Sequence, residues 1–194
     1  KRAHARGHPI VIDPVGVSGS SYRREKCLEL MKIIHPTCIR GNYSEIQALL
    51  HNCGTVTGVD AAEDALAEAE ETDLPELMKQ YAKENQMILV ASGETDLITD
   101  GSCVYRCHNG SPMMARITGS GCMSTVMLGA FLSAENSVES AVACCAFTGI
   151  AGELAAKEMT AQKRGTMTFR NWFIDAVSLM TPEQLEHGTN VDWF

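Results

Sequence analysis

A Gly-Ser-Gly turn at residues 119–121 is the part of the sequence best suited to hold an anion. It follows an apolar approach and is followed at once by a helix-like run at residues 124–132. The two glycines let a ligand come close to the backbone, and the first turn of the helix leaves several N–H groups unpaired with a partial positive charge. Such an arrangement binds phosphate groups. We therefore predict an anion hole formed by Gly119, Ser120, Gly121 and Cys122.

Two further segments carry charged side chains where predicted strands end. Asp13 supplies carboxylate oxygens of the kind that hold Mg²⁺, although an Asp-Pro sequence also forms plain turns. Arg40 supplies a planar fork of donors that suits phosphate. Asn42 and Glu45 lie three residues apart, so they form a capping box at the start of a helix or present Glu45 to a metal-bound water. Both interpretations can hold together.

Two smaller side chains complete the set of candidates. Ser92 follows an apolar strand and offers a hydroxyl beside the permissive Gly93, although a plain turn explains the same residues. Cys122 opens the helix after the glycine turn, where the helix field favours a thiolate. That thiolate would take a proton from an acceptor hydroxyl, or the main-chain amides would do the electrostatic work while Cys122 only lies beside the acceptor. A small buried cysteine with a packing role is the remaining interpretation.

Alternating strands and helices would place these residues at one edge of a sheet. We predict strands at residues 9–13, 37–40 and 87–91, and a hairpin of strands at 96–101 and 102–107. The spacing of apolar residues predicts helices at 22–34, 44–50, 61–71, 74–85, 120–132, 137–160 and 168–179. This order predicts an α/β fold with a mostly parallel sheet and helices on both faces, in one domain over residues 1–194. Ligands of such folds bind beyond the carboxyl ends of the strands, where Asp13, Arg40 and Ser92 lie.

Composition and charge narrow the classes of function. The net charge of −8 argues against nucleic acid or an anionic membrane surface as a partner. The sequence contains no run of about 18 apolar residues, so we expect no transmembrane helix. The eight cysteines show no paired zinc spacing, since Cys103 and Cys107 lie in a strand-like run, and the chain is too long for a disulfide-dense domain. We expect reduced thiols in a cytoplasmic protein.

In their order along the chain, these motifs resemble those of the hydroxyethylthiazole kinase family, a branch of the ribokinase-like superfamily. The resemblance extends over essentially all 194 residues. It rests on segments at residues 11–17, 39–46, 58–60, 92–94 with Asp96, 108–110 and 117–122. Cys122 points to this family, because other members of the superfamily usually carry Asp at the corresponding position.

The resemblance implies a ribokinase-like three-layer sandwich and an ATP-dependent kinase. Its substrate would be the primary hydroxyl of 4-methyl-5-(2-hydroxyethyl)thiazole, a small-molecule alcohol of thiamine biosynthesis and salvage. By the same resemblance Arg40 and Ser92 contact ATP. The family resemblance also implies a homotrimer with active sites between subunits.

The resemblance assigns the remaining candidates as well. Asp13 and Glu45 serve the Mg²⁺ and phosphate region, Gly119 contacts the thiazole, and Cys122 lies at the acceptor hydroxyl. The family is longer than this chain at its front, where its N-terminal segment supplies strands and part of the thiazole pocket. We therefore expect the native polypeptide to carry roughly 70–90 further residues.

Two other functions and one structural question stay open at the level of sequence. A nucleotide-dependent dehydratase on the same scaffold would share the glycine turn. A non-catalytic protein that binds the thiazole or a nucleotide would suit Cys122 in place of the usual carboxylate. The terminal pair Trp193-Phe194 is either a disordered end or a packed anchor.

Overall fold

The structure, a computed structural model, describes residues 2–53 and 74–194. The predicted helix at residues 61–71 and the motif at residues 58–60 lie outside these ranges. The strands are β1 (Val11–Ile12), β2 (Cys38–Asn42), β3 (Ile88–Ser92), β4 (Asp96–Thr99), β5 (Val104–Cys107) and β6 (Val191–Trp193). The α-helices are α1 (Ser21–Ile34), α2 (Tyr43–Cys53), α3 (Leu74–Asn85), α4 (Ser120–Ala134), α5 (Val138–Ala161), α6 (Thr166–Leu179) and α7 (Pro182–Gly188). Short 3-10 helices lie at His4–Arg6 and Pro112–Arg116.

The strands form one mixed sheet in the order β1-β2-β3-β4-β5-β6. β1, β2 and β3 are parallel, with Ile39 of β2 opposite both Ile12 and Leu89. β4, β5 and β6 each run antiparallel to the strand before them, and β4 and β5 form the predicted hairpin. The predicted α/β class is confirmed. Asp13 follows β1 and Ser92 ends β3 at the carboxyl edge of the parallel strands, whereas Arg40 is the central residue of β2, because pairing with β3 extends that strand past its predicted end to Asn42.

Helices cover both faces of the sheet, because successive strand residues point to opposite sides. Ile39 and Leu89 pack with α1, α2 and α3, for example against Ile46. Cys38 and Val90 pack on the other side against α4 and α5. The result is a helix–sheet–helix arrangement of three layers. Burial of both faces explains why β3 is apolar at nearly every position rather than at alternate ones.

α5, a helix of 24 residues, lies in the core of the second helical layer. Among the described residues it is the helix that is long and apolar enough, by length and composition, to cross a membrane. In the folded chain 61% of its apolar stretch is buried, and it packs against the sheet, α4 and α6. A helix that is apolar around most of its surface is expected in such a core position, so packing accounts for its composition.

The C-terminal residues form an ordered edge of the sheet that the sequence patterns did not predict. Phe194 N–H donates to the Val104 carbonyl at 3.1 Å, so strand pairing orders Trp193-Phe194, while both side chains stay mostly exposed. Asp192 on β6 accepts a hydrogen bond from Arg106 Nε at 2.5 Å and lies 3.2 Å from His108 Nε2. The hydrogen bonds from Arg106 and His108 hold the pKa of the Asp192 carboxyl below its ordinary value. These contacts fix the turn after β5 to the end of the chain.

Candidate functional site

The predicted anion hole lies at the start of α4. Gly119 immediately precedes the helix with a φ of +96°, which glycine adopts without the strain that other residues meet there. Apart from its chain neighbours, no described atom would lie within 4 Å of a Cβ placed on Gly119. The Ser120 hydroxyl donates to the Met114 carbonyl at 2.8 Å, so Ser120 can serve an anion only through its backbone N–H. The turn therefore combines open space with the N–H groups that the first turn of a helix leaves unpaired.

The residue after β1 and the middle of β2 contact the start of α4. Arg40 Nη1 donates to the Gly121 carbonyl at 3.2 Å and to Thr125 Oγ1 at 3.4 Å. Thr125 Oγ1 also lies 2.8 Å from Asp13 Oδ2. These contacts join residues that are 81 to 112 positions apart in the chain. The structure thus brings Asp13, Arg40 and the glycine turn together, with a cation beside the helix N-terminus where a phosphate group would be attracted from both sides.

Glu45 ties the ends of the first two strands to each other. Its Oε2 accepts the Asn42 N–H at 3.0 Å, and Asn42 Oδ1 accepts the Glu45 N–H at 2.9 Å. This is the capping box predicted for the start of α2. Glu45 Oε1 accepts the N–H of Gly16, three residues after Asp13, at 2.8 Å. Since Glu45 is only 9% exposed, both oxygens of a buried carboxylate are engaged by the backbone.

Ser92, the last residue of β3, lies beside the end of β2. Its hydroxyl donates to the Gly41 carbonyl at 3.2 Å. The loop that follows is closed by Asp96, whose Oδ1 accepts the Gly93 N–H at 3.0 Å. Burial raises the pKa of the Asp96 carboxyl, while the Gly93 hydrogen bond and the charge of Arg40 lower it. Ser92 and Asp96 therefore belong to the same edge of the sheet as Arg40.

Cys122 is the exposed thiol among the cysteines whose surroundings are described. Cys107, Cys144 and Cys145 are buried, and desolvation raises the pKa of Cys107 and of Cys144 to about 12. These buried thiols stay protonated at neutral pH and pack in the core. Cys122 is thus the thiol at this edge that a ligand can reach.

Thr125 is the site residue that sequence reasoning missed. It contacts both Asp13 and Arg40, although it belongs to none of the motifs. It lies four residues after Gly121, so it is the next side chain on the same side of α4. That spacing after the glycine turn was the signal that could have found it.

The carboxylates near the turn fit Mg²⁺ only as a site shared with a ligand. Among residues 2–53 and 74–194, no group of three or more His, Cys, Asp or Glu side chains is placed to hold a metal ion. Asp13 Oδ1 has no hydrogen-bond partner in that part of the chain, because the contact with Thr125 is made by Oδ2. Mg²⁺ is commonly held by one or two carboxylates together with substrate phosphates. Asp13 fits that role.

A cavity of about 690 Å³ lies at the opposite edge of the sheet. Its lining includes Thr37 and Met87, which precede β2 and β3, and Lys79 and Lys83 of α3. The predicted site residues are not part of this lining. Ligands of parallel α/β sheets bind beyond the carboxyl ends of the strands. We therefore place the candidate site at the glycine turn, where the charged and N–H donor groups converge.

Comparison with known proteins places the chain among thiazole kinases. The model of the hydroxyethylthiazole kinase family matches residues 1–183. A hydroxyethylthiazole kinase of Clostridium acetobutylicum is 34% identical over 99% of this chain and 71% of its own length. Hydroxyethylthiazole kinase 1 of Methanosphaera stadtmanae is 38% identical over 92% of this chain and 65% of its own length. The chain therefore spans about two thirds of the length of these relatives.

A solved structure agrees with the sequence relatives. The hydroxyethylthiazole kinase of Pyrococcus horikoshii OT3 matches with a TM-score of 0.80 and 26% identity, over 99% of this chain and 68% of that one. A kinase of this family implies a nucleotide as phosphoryl donor and a small thiazole as acceptor. With its ordered motifs and its matches over nearly all residues, this chain belongs to the hydroxyethylthiazole kinase family of thiamine biosynthesis and is a phosphotransferase that acts on an alcohol.

Proposed function

We propose that the full-length protein transfers the γ-phosphoryl group of ATP to the primary hydroxyl of 4-methyl-5-(2-hydroxyethyl)thiazole, giving the thiazole phosphate and ADP. The observation that carries this proposal is the convergence of Arg40 with the glycine turn, where Nη1 lies 3.2 Å from the Gly121 carbonyl. We further propose that residues 1–194 form a single domain and that the protein is cytoplasmic. It works as a homotrimer with active sites between subunits, as the family resemblance implies.

The glycine turn acts on the charge of the transferring phosphoryl group. The backbone N–H groups of residues 119–122 stabilise that charge without reorganising, because the helix already holds them in place. Gly119 also contacts the thiazole. Arg40 binds the nucleotide phosphates, since a guanidinium has five N–H donors and the contacts with Gly121 and Thr125 use only Nη1. The Ser92 hydroxyl contacts the nucleotide at the end of the neighbouring strand.

Asp13 and Glu45 serve the Mg²⁺ that accompanies the nucleotide. Asp13 would hold the ion through Oδ1, which has no hydrogen-bond partner among the described residues. When bound, Mg²⁺ neutralises charge on the phosphate oxygens. Glu45 acts from outside the ligand shell, because both of its oxygens already accept backbone N–H groups. It would help to order a water bound to the ion, and it holds the loop after Asp13 in position.

Cys122 lies beside the acceptor hydroxyl. Its exposure at the start of α4 allows this, whereas the core thiols are out of reach of a ligand. The main-chain amides supply the electrostatic stabilisation, and the thiolate form would in addition accept the hydroxyl proton. The pH profile of kcat for wild type against Cys122→Ala tests that second role, which identical profiles would exclude.

A coupled assay on the full-length protein tests the proposed reaction. With the thiazole alcohol and Mg·ATP we expect ADP release that depends on the alcohol, with thiazole phosphate as the product. Conversion of hydrated nicotinamide cofactors without transfer to the alcohol would instead indicate a dehydratase. Calorimetric binding of the thiazole with no ADP release would indicate a binding protein without turnover. Either result would refute the kinase proposal.

Arg40→Ala tests the site assignment independently of turnover. A charge-assisted hydrogen bond to phosphate contributes about 1.5–3 kcal/mol, so we expect ADP affinity to fall roughly tenfold or more. Arg170→Ala is the matched control, because Arg170 is exposed on α6 and has no ion pair or hydrogen bond with any residue that the structure describes. Equal ADP affinity in the two variants would remove Arg40 from the site.

A further inference from the structure

Thr125 lies at the centre of the candidate site. Its Oγ1 is 2.8 Å from Asp13 Oδ2, 3.1 Å from the Gly121 carbonyl and 3.4 Å from Arg40 Nη1. One hydroxyl therefore contacts the residue after β1, the middle of β2 and the first turn of α4. It is partly buried, in keeping with a side chain held between elements.

The chemistry of these partners determines where the hydroxyl proton points. A hydroxyl has one proton to donate, whereas an ionised carboxylate can only accept and a guanidinium can only donate. If the proton pointed to the Gly121 carbonyl, two acceptor oxygens, of Thr125 and Asp13, would face each other at 2.8 Å. The proton therefore goes to Asp13 Oδ2, and a lone pair of the same oxygen faces Arg40 Nη1.

This geometry keeps two opposite charges near each other without a direct pair. Asp13 and Arg40 form no salt bridge with each other in the part of the chain that the structure describes. In a direct salt bridge, the carboxylate oxygens and the guanidinium N–H donors would be used on each other and not on a ligand. With the hydroxyl between them, Asp13 Oδ1 and the remaining donors of Arg40 have no partner among residues 2–53 and 74–194 and can face a ligand.

We infer that Thr125 is a positioning residue, whose hydroxyl holds Asp13 and Arg40 apart and directs both toward Mg²⁺ and the nucleotide phosphates. This inference rests on the proposed function for the identity of the ligand. It assigns Thr125 no contact with the reacting atoms. Only a side chain that donates and accepts through one atom can serve both partners, so valine, of nearly the same shape, should fail while serine should succeed.

Calorimetry on the full-length protein tests the inference without relying on turnover. ADP is titrated into wild type, Thr125→Val and Thr125→Ser, with Mg²⁺ and with a chelator. We expect Thr125→Val to weaken Mg·ADP binding by about tenfold or more, in line with the loss of a hydrogen bond to a charged group. Thr125→Ser should bind within about threefold of wild type, and melting temperatures should show that the variants are folded. If Thr125→Val does not fold, Thr125→Ala removes the same hydroxyl and takes its place.

Two binding results would overturn the inference. Equal Mg·ADP affinity in wild type and Thr125→Val would show that the hydroxyl only bonds the helix backbone at Gly121. Weak binding in Thr125→Ser as well as in Thr125→Val would show that the methyl group, and not the hydroxyl, matters. Wild type that binds Mg·ADP but does not phosphorylate the thiazole alcohol would refute the proposed reaction alone, and the variants would still decide the role of Thr125. Wild type that binds no Mg·ADP would refute both.

Discussion

Adding one methyl group to the glycine turn should lower the activity of the enzyme without lowering its stability. In Gly121→Ala the new Cβ would lie 3.9 Å from Arg40 Nη1, an ordinary contact, and no other described atom outside the nearby backbone of α4 would lie within 4 Å. Gly121 lies in the first turn of α4, where replacing glycine by alanine stabilises a helix by about 0.5–1 kcal/mol. A change of 1 kcal/mol shifts Tm by roughly 2–4 °C for a chain of this size. The variant should therefore melt at the wild-type temperature or a few degrees above it.

The same methyl group should impair catalysis. A phosphate oxygen bound to a guanidinium lies about 2.7–2.9 Å from its nitrogen, whereas a carbon atom packs at about 3.5–4.0 Å from its neighbours. The methyl beside Arg40 Nη1 thus occupies space that a bound phosphate needs. A displacement of about 1 Å at a reacting group lowers the rate on the order of 10²-fold. We expect kcat/KM for Mg·ATP to fall by about that factor.

The assay is the coupled measurement of ADP on the full-length enzyme, with melting curves of the same samples. Gly129→Ala is the matched control, because it lies in the same helix and its Cβ would contact only Val11 Cγ2, at 4.0 Å. It should gain stability and keep wild-type activity. A Gly121→Ala enzyme with wild-type kcat/KM would refute the reasoning, since no ligand group would then lie close to this glycine.

Three other substitutions test the structure around the site. Gly119→Ala places an L-residue at a φ of +96°, so the free energy of unfolding should fall by about 1–2 kcal/mol and Tm should be lower in thermal melts. An unchanged Tm would mean that the turn adopts another conformation. Glu45→Gln brings an amide NH₂ group against one of two backbone N–H donors, so the free energy of unfolding should fall by about 1–3 kcal/mol. The control Glu135→Gln, at an exposed position, should change Tm little. Equal melting of these two variants would contradict the role of Glu45 as a link between strand ends. For Asp96, burial raises the folded-state pKa above its ordinary value of 3.8, so its contribution to stability is full below that value and is lost as pH rises through the folded-state pKa. Asp96→Asn cannot ionise, so the stability of the variant relative to wild type should increase as pH rises from about 4, and parallel stability curves against pH would contradict this.

Most of the helices and strands could be predicted because their signals are local. α3 begins and ends at the predicted residues, 74–85, since apolar residues repeat at helical spacing between two breaks in the pattern. β3 was evident because Ile88 to Ala91 is a continuous apolar run. Short elements carry too few residues to show a period. β6, with three residues, owes its place to pairing with β5 and to the contact of Asp192 with Arg106, which are 86 positions apart.

The residues of the candidate site likewise divide into those that the sequence makes visible and those whose contacts depend on the fold. Asp13, Arg40 and the glycine turn stand out because each follows an apolar strand or precedes a helix, so their residue types are visible without any contact. The second bond of Glu45, to Gly16, joins residues 29 positions apart and has no pattern of its own. The position of Thr125 between Asp13 and Arg40 likewise depends on how α4 docks against β1 and β2.

The order of amino acids alone determined the α/β class, the local capping of α2 and the set of groups able to hold a phosphate, because hydrophobic period, turn chemistry and residue type act over a few neighbouring positions. Only the tertiary structure decided which oxygens and nitrogens of those groups remain open, since packing brings partners from distant segments to each of them. Within the described residues Glu45 is engaged on both oxygens, whereas Asp13 has one oxygen without a partner, and no local pattern distinguishes these two carboxylates.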